Sequence, residues 1–196
     1  GDAAADDQLV VGTTDRLVAT GTLDNGATQD LSTQSSYTSS DATAISLLTS
    51  GLPNLALALK ASTPVQITGS FNTAATGATA APVVSPAISI TPIADGLNTI
   101  VVSPATLGVI AGRTGQFAAT GSYASGRSQD ITRHVGWTSS DTTLATIQSS
   151  GTTIVSSLAG LATTSTLAAG RSVTITATVN NAAGAATTST ATLNIQ

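Results

Sequence analysis

Apolar and polar residues alternate along much of the chain, which is the pattern of half-buried β-strands. The alternation is clearest over Val65–Phe71 and residues 173–179, and residues 187–196 are predicted to form the last strand. Two segments, residues 55–60 and 156–168, are rich in Leu and Ala and are compatible with either a short helical turn or a strand. The pattern as a whole predicts an all-β chain.

The chain also repeats itself at a fixed offset of 100 residues. Ala19-Thr20-Gly21 recurs as Ala119-Thr120-Gly121, and Thr38-Ser39-Ser40-Asp41 recurs as Thr138-Ser139-Ser140-Asp141. A solenoid repeat is about 20–50 residues long, so a repeat of this length is a whole small domain. We therefore predict two tandem immunoglobulin-like antiparallel β-sandwiches, residues 1–92 and 97–196.

The two copies share their inward positions and their turns. Apolar or small residues stand at positions 17, 19, 21 and 23 and again at 117, 119, 121 and 123, so the same face of the same strand is predicted to be buried in each copy. Gly26 and Gly126 follow as the residues that let the chain reverse. The predicted structural core residues are Leu17, Tyr37, Phe117 and Trp137.

Composition excludes several partners. Charged residues make up 8% of the chain and the net charge is −4, which gives no electrostatic attraction for nucleic acid. No apolar run approaches the roughly 18 residues of a membrane-spanning helix. The chain has no Cys and begins with Gly rather than Met. We therefore expect a secreted protein with a processed amino terminus, located outside the cell or on its surface.

A Ser/His/Asp set can be written from neighbouring residues, but it lacks the features of a catalytic site. His134 is the only histidine, with Asp130 before it and Ser139 and Ser140 after it, and its counterpart in the first copy is Gln34. The set lies within about ten positions of strand and turn and has no nucleophile elbow. The sequence predicts no catalytic residue and no enzyme.

The acidic residues favour turns over a metal site. Asp41 and Asp141 each follow Ser-Ser at a predicted strand end, where a carboxylate accepts hydrogen bonds from its own turn. Asp2, Asp6 and Asp7 cluster near the amino end but form no calcium-loop motif. No metal and no cofactor are predicted. The many outward Thr and Ser residues are either ordinary strand formers or acceptors of O-glycans.

The second copy carries the motifs of a known family. The segments Thr99-Ile100-Val101-Val102-Ser103-Pro104, Ala119-Thr120-Gly121-Ser122-Tyr123 and Trp137-Thr138-Ser139-Ser140-Asp141 resemble the bacterial immunoglobulin-like group 2 (BIG2) domain. The match covers nearly all of copy two and, in copy one, residues 19–41, with Tyr37 in place of the usual Trp. The resemblance implies a β-sandwich spacer of surface or secreted proteins such as adhesins and phage virion proteins.

Copy one lacks the strand that opens copy two. The apolar segment that precedes the core in copy two is matched by Gly1-Asp2-Ala3-Ala4-Ala5-Asp6-Asp7-Gln8, which cannot bury a strand face. Either the short segment around Leu9 replaces that strand, or the strand is supplied by another chain across an open sheet edge. The predicted interaction residues are Leu9, Val10, Val11, Val83, Val84, Ile88 and Ile90.

Two function classes follow from this reading. The first is a non-catalytic structural subunit of an extracellular or cell-surface assembly such as a filament, sheath, appendage or virion-type polymer, with self-association into a homopolymer. Weakly charged surfaces that repel one another little favour it. The second is a spacer or binding module of a bacterial adhesin or a glycan-recognising surface protein, whose contacts would come from the loops at residues 46–53 and 149–155.

Overall fold

The computed structural model describes residues 7–48, 54–72, 81–150, 158–180 and 185–196, and the regular elements in these ranges are all β-strands. The chain divides into two compact units, Gly1–Ala94 (unit 1) and Asp95–Gln196 (unit 2). The strands of unit 1 are β1 (Gln8–Val10), β2 (Thr14–Arg16), β3 (Thr20–Thr22), β4 (Thr28–Asp30), β5 (Ser36–Ser39), β6 (Ile45–Leu48), β7 (Leu55–Ala58), β8 (Val65–Phe71), β9 (Val83–Val84) and β10 (Ile88–Ile93). Those of unit 2 are β11 (Leu97–Ser103), β12 (Thr106–Val109), β13 (Thr114–Gln116), β14 (Ala118–Tyr123), β15 (Ser128–Asp130), β16 (Gly136–Ser139), β17 (Ala145–Ile147), β18 (Leu161–Thr164), β19 (Ser172–Asn180) and β20 (Ala186–Ile195).

Unit 2 contains three sheets of mainly antiparallel strands. The largest has the order β12-β20-β19-β16, and the other two have the orders β11-β14-β15 and β13-β18-β17. The first strand of the unit is divided between two sheets, because β11 pairs antiparallel with β14 while β12 runs parallel to β20. The amino-terminal residues of unit 2 therefore pair with strands of two different sheets.

Unit 1 has the same plan with one difference. Its largest sheet has the order β1-β10-β8-β5, with β9 also paired to β8, and β2-β7-β6 forms a second sheet. The third sheet has two strands, β3 and β4, where unit 2 has three. Among the described residues, the equivalent of β11 is therefore missing from unit 1, whereas β1 takes the place of β12.

Each core is formed by the inward faces that the alternation predicts. In unit 1, Val65 and Ile67 of β8 pack with Ile45, Leu17 and Ile90 in one buried cluster. In unit 2, Phe117 and Trp137 are buried with the alternate apolar residues of β19 and β20. Thr and Ser occupy the outward positions of the same strands, so each sheet separates an apolar core from a hydroxyl-bearing surface.

The two ambiguous segments resolve as strands where they are described. β7 covers most of residues 55–60, and β18 lies within residues 156–168, of which residues 156–157 lie outside the described ranges. The hairpin turns are those expected: Gly26 has φ +81° and Gly126 has φ +86°, a region that a side chain would disfavour. In each turn the glycine N–H donates to a carbonyl oxygen, that of Leu23 or Tyr123, at 2.8 and 2.9 Å.

The structure corrects the prediction for Leu9 and Val10. Both side chains are buried in unit 1, because β1 pairs parallel with β10 of the same chain, Leu9 opposite Pro92 and Val10 opposite Ile93. They are core residues and do not form an open surface. Alternation shows that a strand is apolar but does not show which strand it pairs with, and this explains the error.

Candidate functional site

The residues of the histidine set lie at the end of β15, in the following turn and at the end of β16. Burial lowers the pKa of His134 to about 4, against a smaller opposite effect from the Asp130 carboxylate. That carboxylate accepts the backbone N–H of Thr132 at 2.8 Å. The Ser139 hydroxyl donates to the carbonyl oxygen of Asp141, and the Ser140 hydroxyl accepts the backbone N–H of Thr174. These hydrogen bonds hold turns and strand ends.

The recurring aspartates act within their own turns. Asp41 Oδ1 accepts the backbone N–H and the hydroxyl of Thr43 at 2.9 and 2.6 Å, and Asp141 Oδ1 does the same with Thr143. These hydrogen bonds lower the pKa of both carboxyl groups, with the Thr hydroxyl as the main cause. Within the described ranges, no three His, Cys, Asp or Glu residues come together as a metal site. Asp2 and Asp6 lie outside those ranges.

Tyr37 and Trp137 occupy equivalent positions between the sheets. The Tyr37 hydroxyl donates to the carbonyl oxygen of Ser32 at 3.0 Å, and Trp137 Nε1–H donates to that of Thr132 at 2.9 Å. The hydroxyls of Ser32 and Thr132 in turn accept the backbone N–H groups of Ala19 and Ala119. Both aromatic rings therefore anchor the same loop in their units, and burial raises the pKa of Tyr37.

The two units differ most at the edge of the smallest sheet. In unit 2, β11 lies along β14, with Ile100 opposite Gly121 and Val102 opposite Ala119. Both side chains point inward, exposed by 6% and 4%, while Val101 between them is 56% exposed. β11 therefore completes the sheet and covers the underlying core.

In unit 1 the corresponding edge of β3 carries no strand among the described residues. β3 pairs with β4, Thr20 opposite Asp30 and Thr22 opposite Thr28. The Leu23 N–H donates to the carbonyl oxygen of Ala27, and the Ala19 carbonyl oxygen accepts the N–H of Leu31. Bonded and non-bonded positions alternate in an antiparallel pair, so the backbone groups of Thr20 and Thr22 face the open edge. No strand in the described part of the chain pairs with the backbone donors and acceptors at this edge.

Side chains beneath this edge are exposed in unit 1 and buried in unit 2. Leu23 is 49% exposed, whereas its counterpart Tyr123 is 6% exposed. Ile88 is 52% exposed, whereas Ala191, which takes the equivalent place in the sheet, is 4% exposed. Ala19, Gly21, Leu31 and Tyr37 are half-buried, while Ala119, Gly121, Ile131 and Trp137 are buried. The difference follows the position of β11.

We call this feature the edge groove: the concave surface between β3 and the β8–β9–β10 wall of unit 1. One part of it has a volume of about 320 Å³ and is lined by β3, Leu31, Phe71 and the segment Val83-Val84-Ser85-Pro86. The described residues that line it carry no charge at neutral pH. Val83 and Val84 stand at its outer wall, and both are exposed.

The predicted interaction residues divide between groove and core. Val83, Val84 and Ile88 lie at the edge groove, whereas Leu9, Val10 and Ile90 are buried and Val11 is half-buried. Leu23 was predicted to be buried, as its counterpart Tyr123 is, but it is 49% exposed because no described strand covers β3. Sequence reasoning did not single out Leu31, although the offset of 100 residues matches it to the buried Ile131. Of the two loops predicted to make contacts, residues 49–53 and 151–155 lie outside the described ranges.

Comparison with known proteins gives one informative relative. Over 146 residues the chain is 32% identical to Ice-binding protein 1 of Shewanella frigidimarina, a match that covers 73% of this chain and 14% of that protein. The match therefore spans only a small part of that relative's length. A comparison with protein-family models finds no match.

Solved structures resemble the chain only distantly. Domains 4 and 5 of the S-layer protein SbsC share 19% identity at a TM-score of 0.38, over 92% of this chain and 80% of that one. The protocadherin gammaB7 EC3-6 cis-dimer shares 12% identity at a TM-score of 0.34, over 83% and 40% of the two chains. At these scores the likeness supports no functional assignment. Within the described ranges, no helix has the length and apolar character of a membrane span.

Proposed function

We propose that the chain is a non-catalytic structural subunit of an extracellular or cell-surface assembly, of the filament, sheath, appendage or virion type. The observation that supports this proposal is the edge groove of unit 1. An uncovered strand edge above an apolar surface is a ready template for pairing with another chain, and proteins that stay monomeric usually block such edges.

The chemistry of the edge favours association. The edge of β3 carries threonines and no Lys, Pro or inward charge, which are the residues that commonly protect an edge. With few charges on the chain, electrostatic repulsion between molecules is small. Association at this edge would join the chain to a neighbouring polypeptide of the assembly.

A second function is favoured by the relative. The chain matches 14% of a protein named for ice binding, and this supports a role as one module of a longer polypeptide. A spacer or binding module of a surface protein, built from BIG2-like domains, fits that arrangement. In this alternative the sandwiches hold a separate binding region at a distance, and the ligand, whether ice, glycan or protein, is contacted elsewhere or by the end loops.

Electron microscopy of surface material from the producing cells separates the two functions. We expect gold-labelled antibody against the chain to mark regular fibres or lattices. Purified chain that forms the same fibres alone would establish a homopolymer. Label found only on single elongated molecules attached to cells, with purified chain monomeric at all concentrations, would contradict the structural-subunit proposal and favour the spacer module. Intact mass of the native chain tests whether the outward Thr and Ser residues carry O-glycans.

A further inference from the structure

The structure of unit 2 assigns an occupant to the edge groove of unit 1. We propose that an extended segment of a neighbouring molecule adds to β3 as an antiparallel strand, with β-branched apolar side chains at two positions separated by one residue. This inference rests on the proposed function, because it names the contact that joins the subunits. β11 is its template, since it lies on the equivalent strand of unit 2 in this geometry.

The register of the donor follows from the repeat. Ile100 lies opposite Gly121 and Val102 opposite Ala119, so the donor's inward side chains stand opposite Gly21 and Ala19. A Cβ built on Gly21 would come within 2.5 Å of Leu31 Cδ1, and one on Gly121 within 3.0 Å of Ile131 Cδ1. Because glycine has no side chain, Leu31 in unit 1 and Ile131 in unit 2 can occupy the space on the inward side of the strand.

The far wall of the groove also matches its filled counterpart. In unit 2 the backbone N–H of Val102 donates to the hydroxyl of Ser189 at 3.2 Å. Ser85 takes the equivalent place in unit 1. It hydrogen-bonds to Gly69, and Ser189 lies opposite Ala177, the residue that corresponds to Gly69. The Ser85 hydroxyl accepts the Gly69 N–H at 2.9 Å, and a hydroxyl oxygen has two lone pairs. It can therefore also accept a donor N–H.

The described residues of a second copy do not supply this donor. Among the described residues of the two sandwiches, β11 is the only strand that covers this edge. Moving it into the groove of another copy would uncover the core of unit 2. At the offset of 100 residues, Asp2 corresponds to Val102. A carboxylate buried at that position without a partner would be costly, so the amino-terminal residues are poor occupants. The uncharged lining selects an uncharged donor.

A peptide with the sequence of β11, residues 97–103 capped at both ends, tests the proposal on the full chain. Isothermal calorimetry is expected to show binding, and the peptide with Ile100→Ser and Val102→Ser is expected to bind at least about tenfold more weakly. Thr22→Pro removes an N–H on the open edge, whereas Thr28→Pro, directly opposite in the same ladder, removes one on the other edge. Thr22→Pro should abolish binding and Thr28→Pro should preserve it.

Disulfide trapping tests the register without a proline. The chain has no Cys, so Thr20→Cys provides a unique thiol. Val101 lies opposite Thr120 in unit 2, so position 101 of a bound β11 peptide is expected to lie opposite residue 20, within reach of a disulfide. A β11 peptide with Val101→Cys should crosslink to Thr20→Cys, and the same peptide should crosslink far less to Thr28→Cys. Equal crosslinking to both variants, or no binding by the unmodified peptide, would overturn the inference.

The two proposals fail in different ways. Native fibres that persist in the Thr22→Pro chain would refute strand addition at the edge groove and leave the structural-subunit function intact. Register-specific crosslinking by a chain that forms no assembly on cells would support the acceptor groove and refute that function.

Discussion

Individual residues at matched positions show how far the sequence predicts the structure. Tyr37 and Trp137 were both predicted as aromatic core residues. Trp137 is buried, whereas Tyr37 is half-buried because no described strand covers β3 as β11 covers β14. Their hydrogen bonds to Ser32 and Thr132 were not predictable, since they depend on the path of the intervening turn. The sequence showed that His134 has Gln34, not a histidine, as its counterpart in copy one. Only the packed structure shows the burial that lowers its pKa.

We expect His134 to make the stability of unit 2 depend on pH. Its folded pKa of about 4 lies below the ordinary 6.5, so the unfolded chain binds the proton first. The stabilisation is complete above about pH 6.5 and is lost as the pH falls toward 4, by about 2–3 kcal/mol. Urea unfolding followed by Trp137 fluorescence at pH 7 and pH 4.5 should show this loss.

His134→Gln, which places the copy-one residue in copy two, is expected to remove most of the difference between the two pH values. The lowered pKa of Asp141 affects stability only below its ordinary value near 3.8, outside this range. A variant that retains the full pH dependence would show that another group is responsible.

Single strands were predicted better than their partners. Alternation identified β8, β19 and most of β20 because each has one face in the core and one in solvent. It misjudged β1, because the pairing of this three-residue strand with β10 spans the whole unit. An open edge in copy one was one of two alternatives that the sequence left, and among the described residues β3 has such an edge. The surface beneath it became evident only from the contrast with unit 2.

β11 is expected to contribute strongly to the stability of unit 2. Ile100→Ser with Val102→Ser removes two buried apolar side chains and should lower the free energy of unfolding by about 4 kcal/mol. Val101→Ser on the same strand alters an exposed side chain and should cost under about 0.5 kcal/mol. Urea midpoints from Trp137 fluorescence measure both, and similar losses would contradict the assigned register.

At the scale of the whole molecule, the repeat determines the architecture and the missing strand distinguishes the two units. The division into two units near residue 95 follows from the duplicated sequence, since each copy contains the inward positions of a complete core. Unit 1 has a smaller buried core at the edge groove, and its stability is expected to be lower.

We therefore expect thermal unfolding in two steps. Far-UV circular dichroism should show both transitions, while the fluorescence of Trp137, the only tryptophan, should change in the upper one alone. For domains of about 100 residues, each 1 kcal/mol shifts Tm by about 4–8 °C. Fluorescence that changes in the lower transition would show that unit 2 is the weaker unit.

The outward threonines of unit 2 form matched pairs across β19 and β20, Thr174 with Thr192, Thr176 with Thr190 and Thr178 with Thr188. Hydroxyl groups are hydrated by hydrogen bonds, which dissolved ions do not screen as they screen charges. This face therefore keeps the same hydration in fresh water and in brine, and changes of ionic strength that weaken charged surfaces leave it little affected.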